Sequence, residues 1–387
     1  MREIAEEVFL VQKKLVFQEI DSEASGSNLD QHYERQPRDL VPTKYSRIWL
    51  STLLVMITIM VIVGGITRLT DSGLSIVEWD LIGGILPPFN EVEWLVQFEK
   101  YKAIPEFSLV NSDITLQKFK TIFYWEWGHR LWGRLIGIVW LVGFGVIVLS
   151  KVAPSGWIIP FFLIGVLIGL QGLVGWLMVQ SGFSDGMTDV ASYWLAAHLG
   201  LAFSIIALIQ WYLLLLRRDS ASLMLGRRNR DRFLNRWVNV FLIILSFQII
   251  FGGLVAGIDA GTSYTDWPFM AGEIFPSEYF SGNSSWIESL ENPAFVQFNH
   301  RVTAYLLVLV SLFIWVLSSR NPVTFIRKLH LFLFLAVVFQ LTIGIITVLT
   351  ESTVEIALIH QFCGLVLWLI AIWVQFETAY PKRQRLN

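Results

Sequence analysis

Eight apolar runs of about 20 residues constrain this chain of 387 residues more than any other feature. A helix needs about 20 apolar residues to cross roughly 30 Å of hydrocarbon. The runs show no period-2 alternation, so they predict transmembrane helices and not the strands of a closed barrel. The expected spans are 48–66, 126–149, 157–179, 190–216, 238–257, 296–318, 329–350 and 355–376.

The composition agrees with a membrane protein. Hydrophobic residues make up 54% of the chain and charged residues only 16%, against about 25% charged residues in a soluble domain. The lone Cys363 excludes a secreted fold held by internal disulfides. A net charge of −2 gives no indication of a nucleic-acid partner. The expected environment is therefore a lipid bilayer.

Lysine and arginine in the connecting segments predict the orientation. One set of segments carries 21 of these residues and the opposite set carries five, and basic loops stay on the cytoplasmic side. Both termini are thus expected in the cytoplasm of a bacterium, with the protein in the inner membrane. Residues 1–47 are rich in acids and lack an early apolar stretch, so they predict a cytoplasmic tail, with His32 on its surface, and no targeting peptide.

The chain contains an internal duplication. A single offset aligns Gly64-Gly65 with Gly252-Gly253 and Trp79 with Trp267, and later landmarks follow in the same order. The predicted fold is all-α: two tandem four-helix bundles related by a pseudo-twofold axis along the membrane normal. The predicted segments are a tail (1–47), an N-terminal bundle (48–216), a basic cytoplasmic linker (217–237), a C-terminal bundle (238–376) and a cytoplasmic tail (377–387).

Four histidines occur at repeat-equivalent positions near the outward ends of the even-numbered spans. A single membrane histidine is as often structural as functional, but four matched ones favour a ligand role. Two imidazoles per bundle are what a hexacoordinate haem iron requires, and a small residue follows each histidine by four positions. A zinc site is the weaker alternative, because no carboxylate or thiolate cluster accompanies them. The histidines are His129, His198, His300 and His360, and the small residues are Gly133, Ala202, Ala304 and Gly364.

Charged neighbours add two hypotheses. Arg130 and Arg301 each follow a histidine and are predicted to hold haem propionates, with snorkelling to the lipid headgroups as the alternative. His330, beside basic residues at the cytoplasmic end of a span, is expected at the membrane interface.

The two halves differ beside the first histidine of each bundle. Glu126 precedes His129 by three residues, whereas the corresponding position before His300 is Gln297. A carboxyl there can exchange protons, so Glu126 is the predicted catalytic residue, although a helix-dipole role is the alternative. The asymmetry indicates one catalytic and one electron-storing bundle. Because both sites lie near the same face, a transmembrane electron wire is disfavoured.

These residues resemble the heme A synthase family, in its proteobacterial and mitochondrial form, over residues 45 to 376. The most specific segments begin with Gly64-Gly65-Ile-Thr67-Arg68-Leu69-Thr70, Glu126-Trp-Gly-His129-Arg130, Gly252-Gly253-Leu-Val-Ala-Gly257, Asp266-Trp267-Pro268, Asn299-His300-Arg301 and His360-Gln361. The cysteine pair that some bacterial members carry in the first outer loop is absent from residues 67–125.

The resemblance implies an enzyme that oxidises a methyl group of haem O to the formyl group of haem A. It implies a haem b cofactor on His300 and His360, and the haem substrate on His129 and His198, with Glu126 as the functional acid. It also implies a haem O synthase, a farnesyltransferase, as supplier and cytochrome c oxidase assembly as recipient. We expect oxidation at the porphyrin edge, with water supplying the oxygen.

The residues leave several points open. The electron acceptor is not identified, and the oligomeric state is undetermined, a homo-oligomer included. The alternative function is a haem-binding carrier or a b-type cytochrome that performs no chemistry of its own.

Overall fold

A computed structural model describes residues 37–80, 83–184, 186–281 and 285–382, and side chains from residue 44 onward. Within these residues the chain is helical, which confirms the predicted fold class. Eight helices are long and apolar enough to cross a membrane. They are α1 (Pro37–Leu69), α2 (Leu116–Leu149), α3 (Ile158–Ser181), α4 (Ser192–Leu216), α5 (Arg232–Gly257), α6 (Pro293–Ser318), α7 (Thr324–Leu349) and α8 (Val354–Ala379). Residues 1–36, with the acidic part of the predicted tail and His32, lie outside the described residues.

Three helices begin six or more residues before their predicted apolar runs. α1 begins eleven residues before the predicted span, α2 ten and α5 six. The first turns of α2 are stabilised by packing, because Phe119, Ile122 and Phe123 are buried under the first outer loop. An apolar count cannot find such turns, since exposed Lys118 and other polar residues interrupt them.

The first outer loop carries a helix that covers the outer end of α2. This helix, Glu91–Lys102, begins at Asn90, whose side chain accepts a hydrogen bond from the backbone N–H of Glu93. Its buried residues Trp94, Phe98 and Tyr101 recur at helical spacing. The ring centroids of Trp94 and Phe123 lie 5.0 Å apart. This aromatic cluster fixes the loop above the N-terminal half.

Each half of the chain forms a closed ring of four helices. In the first half α1 contacts α2 and α4, and α3 contacts α2 and α4. The second half repeats these contacts with α5 to α8 in the same order. The two halves meet where α4 packs on α5 and where α8 packs on α1. These two contacts are equivalent, because α4 corresponds to α8 and α5 corresponds to α1 in the repeat. This arrangement fits the predicted tandem bundles.

Matched backbone features accompany the repeat. Asp71 and Asp259, which follow the first helix of each half, have φ values of 47° and 49°. This left-handed conformation is one that aspartate tolerates better than most side-chain-bearing residues. Equal conformations at equivalent positions indicate that the outer loops leave both bundles by the same turn.

His330 is fully buried between α7 and α8. Its Nδ1 lies 2.7 Å from the carbonyl oxygen of Ile326 and its Nε2 lies 3.2 Å from Oγ1 of Thr378. The imidazole therefore serves helix packing, and its position at the membrane interface stays a prediction.

Candidate functional site

Each of the four predicted ligand histidines lies against a glycine of a neighbouring helix. A Cβ atom on Gly64 would stand 3.1 Å from Cε1 of His129, and one on Gly252 would stand 3.2 Å from Cε1 of His300. The second pair repeats this geometry: Cβ atoms on Gly175 and Gly344 would stand 2.8 and 2.9 Å from Cε1 of His198 and His360. The glycines therefore set the space available to each imidazole.

The C-terminal histidines face each other across their bundle. The ring centroids of His300 and His360 lie 6.4 Å apart, and the ring planes meet at 74°. An iron bound between two imidazoles at the usual metal–nitrogen length of about 2.0 Å would separate the centroids by roughly 6.3 Å. The observed separation thus fits a bis-imidazole haem. His129 and His198 make no comparable ring contact in the described part of the chain, although they interact electrostatically.

Polar atoms of the imidazoles remain without partners. Nδ1 of His129, His198 and His300 is buried and accepts or donates no hydrogen bond. Buried polar groups are normally satisfied, so unsatisfied ones mark positions that a bound group can complete. No group of three or more metal-binding side chains occurs among the described residues. A zinc site with three or four protein ligands has no support there, whereas two nitrogens per site suit a porphyrin iron.

Glutamines next to the histidines were not predicted as site residues. Gln171 and Gln340 occupy equivalent positions and donate from Nε2 to the backbone carbonyls of His198 and His360, both at 3.0 Å. Gln340 Nε2 also lies 3.2 Å from Nδ1 of His360. The sequence signal that could have identified both glutamines is their equal spacing to the glycine that follows each of them. Such groups orient a ligand imidazole in the way that outer contacts do at metal sites.

Gln248 distinguishes the C-terminal site from the N-terminal one. Its Nε2 lies 3.2 Å from Nε2 of His300, while the equivalent position in the first half is Met60. No local sequence signal reveals this contact, because Gln248 and His300 are on different helices.

Glu126 is held by three donors on the outer side of His129. Its Oε2 accepts hydrogen bonds from Oγ of Ser75 at 2.7 Å and from the backbone N–H of Ile76 at 2.8 Å. Its Oε1 accepts from Nη2 of Arg130 at 2.5 Å. Only 3% of the residue is exposed. The carboxyl is therefore fixed in position one helical turn from His129.

Gln297 takes the same place in the second half with one hydrogen-bond partner instead of three. Its Nε2 donates to the carbonyl oxygen of Tyr264 at 3.0 Å, and its buried Oε1 has no hydrogen-bond partner. Tyr264 is the counterpart of Ile76 under the repeat offset. An amide at this position cannot exchange protons as a carboxyl does, so only the first half has a side chain capable of acid–base chemistry at this position.

Both predicted arginines tie an outer loop to its bundle. Arg130 donates to the carbonyl oxygens of Ile76 and Glu78 at 2.8 and 2.9 Å. Arg301 donates to the equivalent carbonyls of Tyr264 and Asp266, both at 3.0 Å. Neither guanidinium simply snorkels, because each reaches backbone groups of the loop. Whether they also bind propionates stays a prediction.

Arg134 is a further cation at the first site. Its Nη2 donates to the carbonyl oxygen of Asp80 at 2.9 Å, while its buried Nε and Nη1 have no partner. The equivalent residue in the second half is Tyr305. Two free N–H groups on one guanidinium suit a carboxylate ligand.

Arg68 links the two halves at the outer rim. Its side chain is 11% exposed and lies 3.0 Å from Asp71, 3.5 Å from Asp189 and 2.8 Å from Asp259. Burial raises the pKa of Asp189 to about 6, despite the opposing effect of Arg68. Three carboxyls from three segments converge on one guanidinium, which therefore joins the first bundle to the second.

Comparison with known proteins places these features in a family. A family model described as cytochrome oxidase assembly protein, COX15-CtaA, matches residues 47–372. A heme A synthase of Ruegeria sp. is 45% identical over 337 residues, 87% of this chain and 88% of the relative. Heme A synthases of Roseobacter denitrificans (42% identical; 95% of this chain and 97% of the relative) and Paracoccus denitrificans (44%; 87% and 88%) are also similar. These similarities confirm the resemblance found in the sequence.

Proposed function

The chain belongs to the COX15-CtaA family, in which its relatives are heme A synthases, and we propose that it oxidises the methyl group of haem O to give haem A. It is accordingly an oxidoreductase that acts in haem A formation. It is also a multi-pass membrane protein. The observation that carries this proposal is the pair of matched two-histidine sites of which only one has a carboxyl beside it. The conversion of a methyl and one water to a formyl group releases four electrons and four protons.

The first bundle is the substrate side in this proposal. His129 and His198 hold the iron of haem O, and Gly64 and Gly175 leave room beside their rings. Arg134 offers two buried N–H groups for a propionate, and Arg130 keeps the loop of residues 76–78 closed over the site. A fixed loop excludes bulk water from the substrate.

Glu126 is the acid–base group of the substrate side. Its Oε2 can take a proton leaving the substrate, and the Ser75 hydroxyl bonded to that oxygen provides the next position. Arg130 and the N–H of Ile76 hold the carboxyl in one orientation while it does so. Orientation of this kind reduces the rearrangement that each proton transfer requires.

The second bundle is the cofactor side. His300 and His360 would hold haem b, with Gln340 orienting the imidazole of His360 and Arg301 closing the outer loop. When bound, haem b supplies one-electron redox chemistry. With an amide at Gln297, this half has no carboxyl beside its ligand and stores charge without acid–base chemistry.

The membrane setting follows from the charge distribution. The proposed location is the bacterial inner membrane, with both termini cytoplasmic and the four histidines toward the periplasm. Haem O would come from a haem O synthase, and haem A would pass to cytochrome c oxidase assembly. The proposed units are residues 48–216 and 238–376, joined by the basic segment 217–237, within which the structure has a helix at Ser220–Asn229.

The test is the pigment content of purified protein from cells that supply haem O. We expect haem b together with haem A or hydroxylated haem O. His129→Ala with His198→Ala should remove the substrate-derived pigment and leave haem b, whereas His300→Ala with His360→Ala should remove haem b. A carrier would release haem O unchanged, and pigment that survives both double substitutions would refute the assignment of the ligands.

A further inference from the structure

A groove with a basic end runs along α1 on the membrane face opposite the haem sites. It encloses about 700 Å³. The residues that line this α1 groove are Lys44, Arg47, Ile48, Ser51, Thr52, Val55, Met56, Ile59, Trp132 and Arg217. Lys44 begins the membrane span of α1, and Arg217 follows the last residue of α4. The cations of the groove thus meet at one membrane boundary.

The chemistry of the groove changes in order along α1. Cationic side chains come first, the hydroxyls of Ser51 and Thr52 follow one turn after Arg47, and apolar Val55 and Ile59 come next. A phospholipid has the same order: a phosphate, glycerol esters and then acyl chains. Val55 and Ile59 are exposed and can contact such a chain directly.

The cations of the groove are available for a ligand. No ion pair among the described residues involves Lys44, Arg47 or Arg217, and no acidic residue lines the groove. The neighbouring Arg218 differs, because it is bonded to Glu377 and to the carbonyl oxygen of Tyr380. Three positive charges without an ion-pair partner among the described residues leave a net attraction for an anion at one mouth of the groove.

The length of the groove matches one leaflet. Fifteen residues separate Lys44 from Ile59, which corresponds to about 22 Å of helix at 1.5 Å per residue. Half of the hydrocarbon core with one headgroup region measures roughly 20 to 22 Å. An acyl chain anchored at Arg47 would therefore end near Trp132.

We propose that the α1 groove binds one anionic phospholipid. Its phosphate contacts Lys44, Arg47 and Arg217, its esters accept a hydrogen bond from the hydroxyl of Ser51, and one acyl chain lies along Val55 and Ile59 toward Trp132. Basic pockets between membrane helices are known to select anionic lipid headgroups. The bound lipid ties the start of α1 to the end of α4.

The second half provides matched controls, because different side chains occupy the equivalent positions. The counterparts of Arg47 and Ser51 are Asn235 and Asn239. Both accept hydrogen bonds from Nε2 of Gln375, at 3.3 and 2.6 Å. Arg232 and Arg236 still place two positive charges at this boundary. Positive charge is therefore present in both halves, whereas the combination of Arg47 with the hydroxyl of Ser51 is present in one.

Native mass spectrometry of the full chain tests the proposal. The protein is released from nanodiscs of phosphatidylcholine with a minor share of phosphatidylglycerol. We expect one phosphatidylglycerol per chain, and a loss of about 100-fold in its affinity when Lys44, Arg47 and Arg217 all become Gln. The triple variant Arg228→Gln, Arg232→Gln and Arg236→Gln should retain the lipid. Val55→Trp, which fills the groove without changing its charge, should also displace the lipid while haem content stays normal.

Several outcomes would overturn the proposal. Equal retention of phosphatidylcholine would show an unselective lipid contact. Displacement of the lipid by millimolar inorganic phosphate alone would show a simple anion site. Binding that begins only after removal of residues 1–36 would show that the chain's own acidic segment occupies the groove. Retention of phosphatidylglycerol by the Gln variant, with pigment intact, would show that the three cations do not select it.

Discussion

The two halves of the molecule place the same scaffold around different chemistry. Each puts two histidines against two glycines and closes its outer loop with an arginine on two backbone carbonyls. They differ at one equivalent position. In the first half the carboxyl of Glu126 accepts hydrogen bonds from three donors, whereas in the second half the amide of Gln297 donates to one acceptor. In the proposed function the repeat supplies haem binding, while one substitution decides which copy has a carboxyl that can exchange protons.

The outer loops of the two halves also differ, in the burial of a carboxyl group. In the first half the hydroxyl of Tyr101 donates to Oε1 of Glu106 at 3.1 Å, and Glu106 is only 4% exposed. In the second half Tyr264 donates to Glu278 at 2.6 Å, but Glu278 is exposed. Burial raises the pKa of Glu106 to about 7. Of these two loop carboxyls, the buried one is thus in the N-terminal half.

The largest expected effect comes from making the halves alike. Glu126→Gln should lower the rate of haem A formation by about 10²- to 10⁴-fold, the usual contribution of a positioned acid or base. The haem content should not change, because no ligand is altered. The reciprocal Gln297→Glu is the control and should leave the rate close to wild type. Full haem A production by the Glu126→Gln variant would reduce Glu126 to a structural role.

The pH dependence of loop stability separates the two outer loops. Because the folded-state pKa of Glu106 is raised from 4.5 to about 7, the folded loop binds the proton more tightly than the unfolded one. Its stability should be highest below pH 4.5 and fall by up to about 3 kcal/mol as the pH rises to 7. Hydrogen exchange of the helix Glu91–Lys102 measures this.

Neutral substitutions provide the comparison for that measurement. Glu106→Gln should remove most of the pH dependence, whereas Glu278→Gln in the other loop should preserve it. An unchanged pH profile in the Glu106→Gln variant would mean that another group controls the stability of the loop.

Adding one methyl group should empty one haem site at a time. An Ala side chain at Gly175 or Gly344 would force the adjacent imidazole to move, and overpacking costs about 2 kcal/mol, or roughly 30-fold in haem affinity. Gly175→Ala should release the substrate pigment and Gly344→Ala the haem b. Gly172→Ala, with open space around it, is the control. Equal loss of both pigments in one variant would contradict independent sites.

The smallest effect concerns the contact between the halves. Arg68→Ala should lower the free energy of unfolding by about 1.5 kcal/mol, which is typical for hydrogen bonds to charged groups. Alanine is the residue at the equivalent position of the second half, Ala256. A double-mutant cycle with Asp259→Asn isolates the contribution across the junction. A second cycle between Arg68→Ala and Asp71→Asn, which both lie in the first half, is the matched control. Zero coupling between Arg68 and Asp259 would show that this ion pair does not stabilise the contact between the halves.

Much of this molecule is predictable because the relevant signals are local. The apolar runs predicted all eight helices, since hydrocarbon thickness and helical rise fix their length. The matched positions of His129 and His300 followed from the common order of landmarks in the two halves, and so did the contrast between Glu126 and Gln297. The early start of α2 was missed, because its first turns depend on aromatic residues supplied by the loop.

The sequence by itself therefore determined the number of spans, the duplication and the residues that differ between the copies. Only the tertiary structure decided what surrounds them: the glycine beside each imidazole, the carbonyls under Arg130 and Arg301, the burial of Glu106 and of His330, and the unpaired cations of the α1 groove. Hydropathy and helical period act within one segment. Desolvation and hydrogen bonding depend on groups that other helices bring from far along the chain.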